Sequence, residues 1–145
     1  MFLGHYQKNF NKTKGRTSIP SAYSKTLGKS AIITKGYEGS LLIIKKSDWQ
    51  KIIEGVIGNN FLSGLSRQTD RFLLGNAFEF NIDSQGRCVI PKKLRQYADL
   101  NSQVIFVGVG NRIELWDQAK WDKNTKYLDQ NIEKISDQLN QQLKS

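Results

Sequence analysis

The sequence predicts an α+β chain with a mainly β core, assembled from two tandem copies of one β-hairpin-plus-helix unit. Three observations predict it. Lys14-Gly15-Arg16-Thr17-Ser18-Ile19-Pro20 is echoed by Gln85-Gly86-Arg87-Cys88-Val89-Ile90-Pro91, and Gly, Arg, Ile and Pro coincide at an offset of 71 positions. Further on, Gly39-Ser40-Leu41-Leu42-Ile43-Ile44 and Trp49 match Asn111-Arg112-Ile113-Glu114-Leu115-Trp116 and Trp121 at an offset of 72. Third, a chain of 145 residues, 38% hydrophobic, has enough apolar material for one ordinary core that two short halves can share. The repeats are expected over residues 1–55 and 76–123, with a helical connector over 56–75 and a C-terminal amphipathic tail over 124–145.

Each half reads in the same order. An extended arm, Leu3 to Phe10 or Ala77 to Ile82, runs into a polar turn ending at Gly15 or Gly86, and a β-branched return run follows as Thr17-Ser18-Ile19 or Cys88-Val89-Ile90, which together predict a hairpin. Glycine at the turn accepts positive φ, so the arginine after it begins the return strand at the tip. Pro20 and Pro91 suit the first turn of a short helix, because proline's φ is preset and its missing N–H is not needed there. Tyr23 with Leu27, and Leu94 with Ala98, are expected on the inward faces of those helices. A second hairpin then pairs Ala31–Thr34 with Leu41–Ile44, and Val104–Val107 with Ile113–Trp116. Trp49 and Trp121 fall on trailing helices. In the connector, Phe61, Leu62, Leu65, Phe72 and Leu73 recur at near-helical spacing, with Arg67, Asp70 and Arg71 left to solvent, so it is expected to pack on the core. In the tail, Leu128, Ile132, Ile135, Leu139 and Leu143 form a stripe, read as a terminal helix docked on its own domain or on a neighbouring subunit.

Charge narrows the partner. Lys and Arg number 22 against 13 Asp and Glu, a net charge of +9 and a pI near 9.7, which favours a polyanion such as nucleic acid. Residues 1–98 hold 16 basic and six acidic side chains, whereas residues 99–145 hold six and seven, so the attraction lies in the first two thirds. No apolar run is long enough to span a bilayer, and the N-terminus lacks the layout of a secretory signal, so a cytoplasmic protein with no membrane partner is expected. One cysteine, Cys88, and one histidine, His5, are too few for an internal disulfide or a structural zinc site; no metal or other cofactor is expected.

The opening Met1-Phe2-Leu3-Gly4, the duplicated Gly-Arg-x-x-Ile-Pro, and Val107-Gly108-Val109-Gly110-Asn111-Arg112-Ile113-Glu114-Leu115-Trp116 closely resemble the bacterial MraZ family over about residues 1–123. That family is similar to the AbrB and SpoVT regulators, in which two βαβ-type units interleave as a swapped-hairpin β-barrel. The resemblance therefore implies an internal pseudo-dimer of this kind. It also implies a ring-shaped homo-oligomer, an octamer being one such ring, associated with the nucleoid. Such a ring would bind double-stranded DNA at repeated boxes upstream of the division and cell-wall gene cluster, regulating that operon and its own expression. The family places an Asp four residues before the Arg of each Gly-Arg turn. The second copy keeps it, as Asp83-Ser84-Gln85-Gly86-Arg87, but the first has Lys12 in that place. A carboxylate there would orient the arginine or cap the turn. Lys12 can do neither for Arg16 and is expected instead to add a phosphate contact.

Arg16 and Arg87 are the leading DNA-contact candidates, since a guanidinium at a hairpin tip can grip guanine O6 and N7, or phosphate, bidentately. A solvated strand-start arginine is the bland alternative; the duplication and the resemblance outweigh it. Lys12, Lys14, Thr17, Asp83, Ser84 and Gln85 flank the tips as further candidates for phosphate or base-edge bonds, each also explicable as turn chemistry. Lys92, Lys93, Arg95, Lys8 and Lys25 rank behind them. Catalysis finds little support. Cys88 alternates with apolar residues in a strand, and Glu79 and Asp83 are not spaced as a converging acid and base. Gly108-Val109-Gly110 reads as a hairpin turn, not a dinucleotide motif. Two rivals stand beside the regulator: an antitoxin-like protein-interaction module of the same barrel class, and an RNA-binding protein, against which no aromatic lies among the tip residues to stack bases.

Overall fold

The computed structural model describes residues 1–55 and 61–145; the first five positions of the expected connector, 56–60, lie outside it. The first arm is β1 (His5–Asn9), followed by β2 (Arg16–Ser18), α1 (Ser21–Leu27), the hairpin β3 (Ser30–Lys35) and β4 (Leu41–Lys45), and α2 (Trp49–Glu54). After α3 (Gly64–Leu73), the order repeats as β5 (Phe78–Asn81), β6 (Arg87–Val89), α4 (Lys92–Tyr97), β7 (Gln103–Gly108), β8 (Ile113–Asp117) and α5 (Gln118–Lys144).

The strands make a six-stranded antiparallel sheet in the order β1-β7-β8-β4-β3-β5 and a separate ribbon of β2 with β6. The β3–β4 and β7–β8 hairpins form where their alternating apolar runs place them, Ile33 opposite Ile43 and Phe106 opposite Leu115. The arms do not. Each polar turn closes at its base, Asn11 N–H to the Arg16 carbonyl at 2.8 Å and Asp83 N–H to the Arg87 carbonyl at 3.0 Å. The local hairpin expected from each arm goes no further. β1 pairs with β7 of the other half and β5 with β3, while the two return strands pair with each other. A three-residue return strand offers its own arm little ladder, whereas exchange gives each arm a full-length neighbour in an apolar hairpin. The halves interleave accordingly. Among the described residues β1 and β5, at the two ends of the sheet, are not hydrogen-bonded to one another; β2 lies against β1 and β6 against β5.

The main core gathers Phe2, Phe10, Ile19, Tyr23, Leu27, Ile33, Ile43, Phe80, Ile90, Leu94, Val104, Phe106, Ile113 and Leu115 from both halves. Tyr23 also donates its hydroxyl to the Leu3 or Gly4 carbonyl, pinning the N-terminal segment. Pro20 and Pro91 sit at the N-caps of α1 and α4, one position ahead of the expected first turn, because their ψ of 139° and 138° is still extended. On the other face of β7, Ile105, Val107 and Trp116 form a smaller cluster under Trp121 of α5. This explains why β7 is apolar on both faces. Asp117 caps α5 by accepting from Ala119 N–H.

The two helices outside the repeats meet the core only in part. In the connector, Leu73 is buried and Phe72 stacks on Tyr37 and meets Tyr97 edge-on. Phe61, Leu62 and Leu65, however, are exposed, because the first turns of α3 stand off the core. In α5 no residue is buried, and Ile132, Leu139 and Leu143 show their apolar stripe to solvent. At the start of the tail Thr125 Oγ1 is buried and Leu128 is half-buried, and the stripe opens to solvent toward its end. No helix among the described residues is long and apolar enough to cross a membrane.

Candidate nucleic-acid interface

Alternation within β2 and β6 decides which tip residues can reach a partner. Thr17 is opposite Cys88 and both are buried, facing the core. The outer face therefore carries Arg16 opposite Val89 and Ser18 opposite Arg87. Both arginines are exposed. In this register they are diagonal neighbours, roughly 7–8 Å apart at the backbone. A shallow groove beside them is lined by Arg16, Asn81, Asp83, Arg87 and Val89.

The second turn is heavily tied. Asp83 Oδ1 accepts from Gln85 N–H at 2.9 Å and Arg87 N–H at 2.8 Å, and its Oδ2 accepts from Arg87 Nε at 2.8 Å. One carboxylate thus caps the turn and holds the guanidinium by its Nε. The Arg87 side-chain bond, then the backbone N–H groups, holds the Asp83 carboxyl below its ordinary range. Ionised Asp83 therefore steadies the turn above the ordinary carboxylate pKa, and this contribution fades as pH falls through the lowered folded value. The Arg87 Nε–H resonance should stay fixed while ordinary carboxylates titrate and move only at more acid pH; in Asp83→Asn that acid transition should be absent.

The first turn is built differently. It spans five positions from its base, Asn11 to Arg16, against four from Asp83 to Arg87. The residue in Asp83's structural place is therefore Asn11, not Lys12 as an ungapped count suggests. Asn11 Oδ1 accepts from Lys14 N–H at 3.0 Å and its carbonyl from Gly15 N–H at 2.7 Å. This is an Asx-type turn that a neutral amide can make. Lys12 donates from Nζ to Asn101 Oδ1 at 3.1 Å, on the exposed surface. The Arg16 guanidinium has no hydrogen-bond or ion-pair partner among the described residues, so one tip presents a held guanidinium and the other a free one.

The remaining candidates divide by direction. Lys14, Ser84 and Gln85 are exposed at the turns. Thr17 is removed from the contact set by geometry, since it is buried and its hydroxyl donates to the Asn9 carbonyl at 2.9 Å. It fastens the ribbon to β1. Arg95 gains importance. Its guanidinium packs beneath Gly15, where any Cβ would collide with it, and Gly15 has φ of 71°. Its Nη1 is buried without a hydrogen-bond partner, and the residue lines a pocket of about 320 Å³ together with Lys12, Thr13, Lys92 and Asp99. The signal for Arg95 was present only as helical spacing after Pro91; nothing local tied it to the first turn.

The two enzyme-like pairings dissolve. Burial pushes the Cys88 thiol up to about 12, which removes the thiolate at neutral pH, and the His5 ring lies tilted against Trp121, centroids 5.9 Å apart. Glu79 pairs with Lys46 at 2.9 Å and Asp83 with Arg87, so each carboxylate has its own cation. Among the described residues no three His, Cys, Asp or Glu side chains gather as a metal set.

A family model described as "MraZ protein, putative antitoxin-like" matches residues 1–72 and again 73–143. Among curated relatives, the "Transcriptional regulator MraZ" of Pediococcus pentosaceus is 32% identical over 139 residues, covering 96% of both chains. The proteins of that name from Caldanaerobacter subterraneus subsp. tengcongensis and Syntrophomonas wolfei are 33% and 34% identical over the same length, again covering 96% of both chains. With the repeated Gly-Arg turns, the exchanged arms and a match running almost end to end, this chain belongs to the MraZ family.

Proposed function

We propose that this chain is a sequence-specific double-stranded DNA-binding transcriptional regulator of the division and cell-wall gene cluster, its own promoter included. One observation carries the reading: Arg16 and Arg87 stand exposed on the same open face of a two-stranded ribbon. A ribbon of this width enters a major groove, where a guanidinium meets guanine O6 and N7. Lys12, Lys14, Ser84 and Gln85 supply the surrounding phosphate and base-edge contacts, and Asp83 acts through Arg87 by holding it. Lys92, exposed beside Arg95 at the first turn, suits a phosphate oxygen. The two repeats, 1–55 and 76–123, act as an internal pseudo-dimer. Copies of the chain assemble into a ring that engages successive boxes, so that modest contacts combine through effective concentration. The place of action is the nucleoid in the cytoplasm, and the reading needs no cofactor.

A salt-controlled gel-shift titration on the chain's own upstream region, with boxes intact or scrambled, tests it. The intact region should shift at far lower protein concentration. Equal, salt-sensitive shifts on both would leave only a basic protein. Structured RNA competing as well as the intact boxes would favour the RNA reading.

A second reading has its own observation, the exposed apolar stripe of α5: an antitoxin-like module that neutralises a protein through its tail. One stoichiometric cellular protein co-purifying with the full chain, and lost when residues 126–145 are removed, would establish it.

A further inference from the structure

We propose that Val89 reads the 5-methyl group of thymine, and that it makes the two ends of the ribbon chemically unequal. This rests on the ribbon being the DNA contact.

Val89 is 51% exposed, the one strongly exposed aliphatic side chain on a strand among the described residues. The other strand valines, Val104 and Val107, are buried. An aliphatic group held in water beside two cations gains nothing from folding there. Yet the ladder fixes its place, directly opposite Arg16 and two residues beyond Arg87 on the same face. The distance between the arginines, roughly 7–8 Å, spans about two base-pair steps of 3.4 Å. An aliphatic group beside an arginine in a major groove has one apolar target on the base edges, the thymine methyl.

The ribbon's approximate two-fold sharpens the assignment. Residues two beyond each arginine are equivalent, and they are Ser18 and Val89. One end therefore presents Arg16 with an apolar neighbour across the ladder, and the other presents Arg87 with a hydroxyl. Symmetric tips would read a box equally in either direction. These tips do not, because only the Arg16–Val89 end rewards a thymine.

The experiment uses the purified full chain and duplexes selected on it from a randomised pool, then resynthesised with uracil in place of thymine, which removes only the methyl group. Wild type should bind the uracil duplex weaker by about fourfold or more, the worth of one buried methyl. Val89→Ala, with an unchanged melting temperature, should bind both duplexes alike at the uracil level. Ser18→Val should add sensitivity to a second thymine. Wild-type indifference to uracil would overturn the assignment, as would full methyl discrimination persisting in Val89→Ala. Arg87→Ala separates the two readings. If it binds like wild type, the ribbon is not the DNA contact and both fall. If it loses binding while thymine and uracil remain indistinguishable to wild type, only Val89's role falls.

Discussion

The Arg16→Ala/Arg87→Ala double variant is expected to lose specific DNA binding while keeping its fold. Each bidentate arginine–guanine contact discriminates by about 1–3 kcal/mol. Losing two together should weaken specific binding by roughly 30-fold to more than 1,000-fold, toward the level of nonspecific duplex. The fold should survive because both side chains project from the ribbon's outer face, and the ribbon's own register rests on Thr17, Cys88 and the backbone ladder. Arg16→Ala should leave stability untouched, as its guanidinium has no partner among the described residues. Arg87→Ala should lower the melting temperature slightly, since Asp83 loses its side-chain partner but keeps two backbone donors. Titration by fluorescence anisotropy at fixed salt, beside a thermal melt, checks both parts. A double variant that binds its duplex normally would remove the ribbon from the interface. One that unfolds would show that the tips hold the structure.

The largest stability effect should come from the centre of the sheet. Phe106 is fully buried on β7, between Tyr6 of β1 and Leu115 of β8. Phe106→Ala removes a packed ring where strands from both halves meet, and such truncations cost about 3–5 kcal/mol. Against a total stability of about 5–15 kcal/mol, that should shift the melting midpoint down by roughly 10 °C. In denaturant the midpoint should fall while the slope stays constant. Below the lowered midpoint, DNA affinity should remain near wild type, since Phe106 is far inside the surface that carries Arg16 and Arg87. Loss of affinity in a still-folded Phe106→Ala protein would mean that packing in the sheet sets the geometry of the tips.

Much of this molecule could be read from local pattern. The second hairpins of each half were legible because Ala31–Thr34 with Leu41–Ile44, and Val104–Val107 with Ile113–Trp116, carry dense apolar runs across short turns. The inward faces of α1 and α4 followed from helical spacing, and Tyr23, Leu27, Leu94 and Ala98 are all buried. The partners of the arms were not legible from the residues themselves. His5-Tyr6-Gln7-Lys8-Asn9 lies mostly exposed, with its anchors Phe2 and Phe10 outside the strand, so nothing in it selects β7 over β2. Only the resemblance implied the exchange. At the tips the errors were of register. Counting back in twos from Ile19 would have put Thr17 on the core side, as Ile90 does for Cys88. Equating Lys12 with Asp83 ignored the extra residue in the first turn, which moves the capping role to Asn11. Phe61 and Leu65 show the opposite limit: helical spacing cannot say whether a surface is available to receive them.

The exchange of arms also bears on how the chain reaches this structure. His5 meets Val107, and Asn9 meets Gln103, so the first strand made is completed only by one of the last. As the polypeptide emerges from the ribosome, β1 has no ladder partner until most of the protein has been synthesised, and until then it is an unpaired edge. Contacts so distant along the chain raise contact order and place folding toward the slow end for a domain of this size, roughly milliseconds to seconds. Early-forming structure should be confined to the local β3–β4 and β7–β8 hairpins, with the arms locking last and together. A nascent chain stalled before β7 would lack the ribbon's counterpart support on β1, and so would present its first arginine on a segment without fixed geometry.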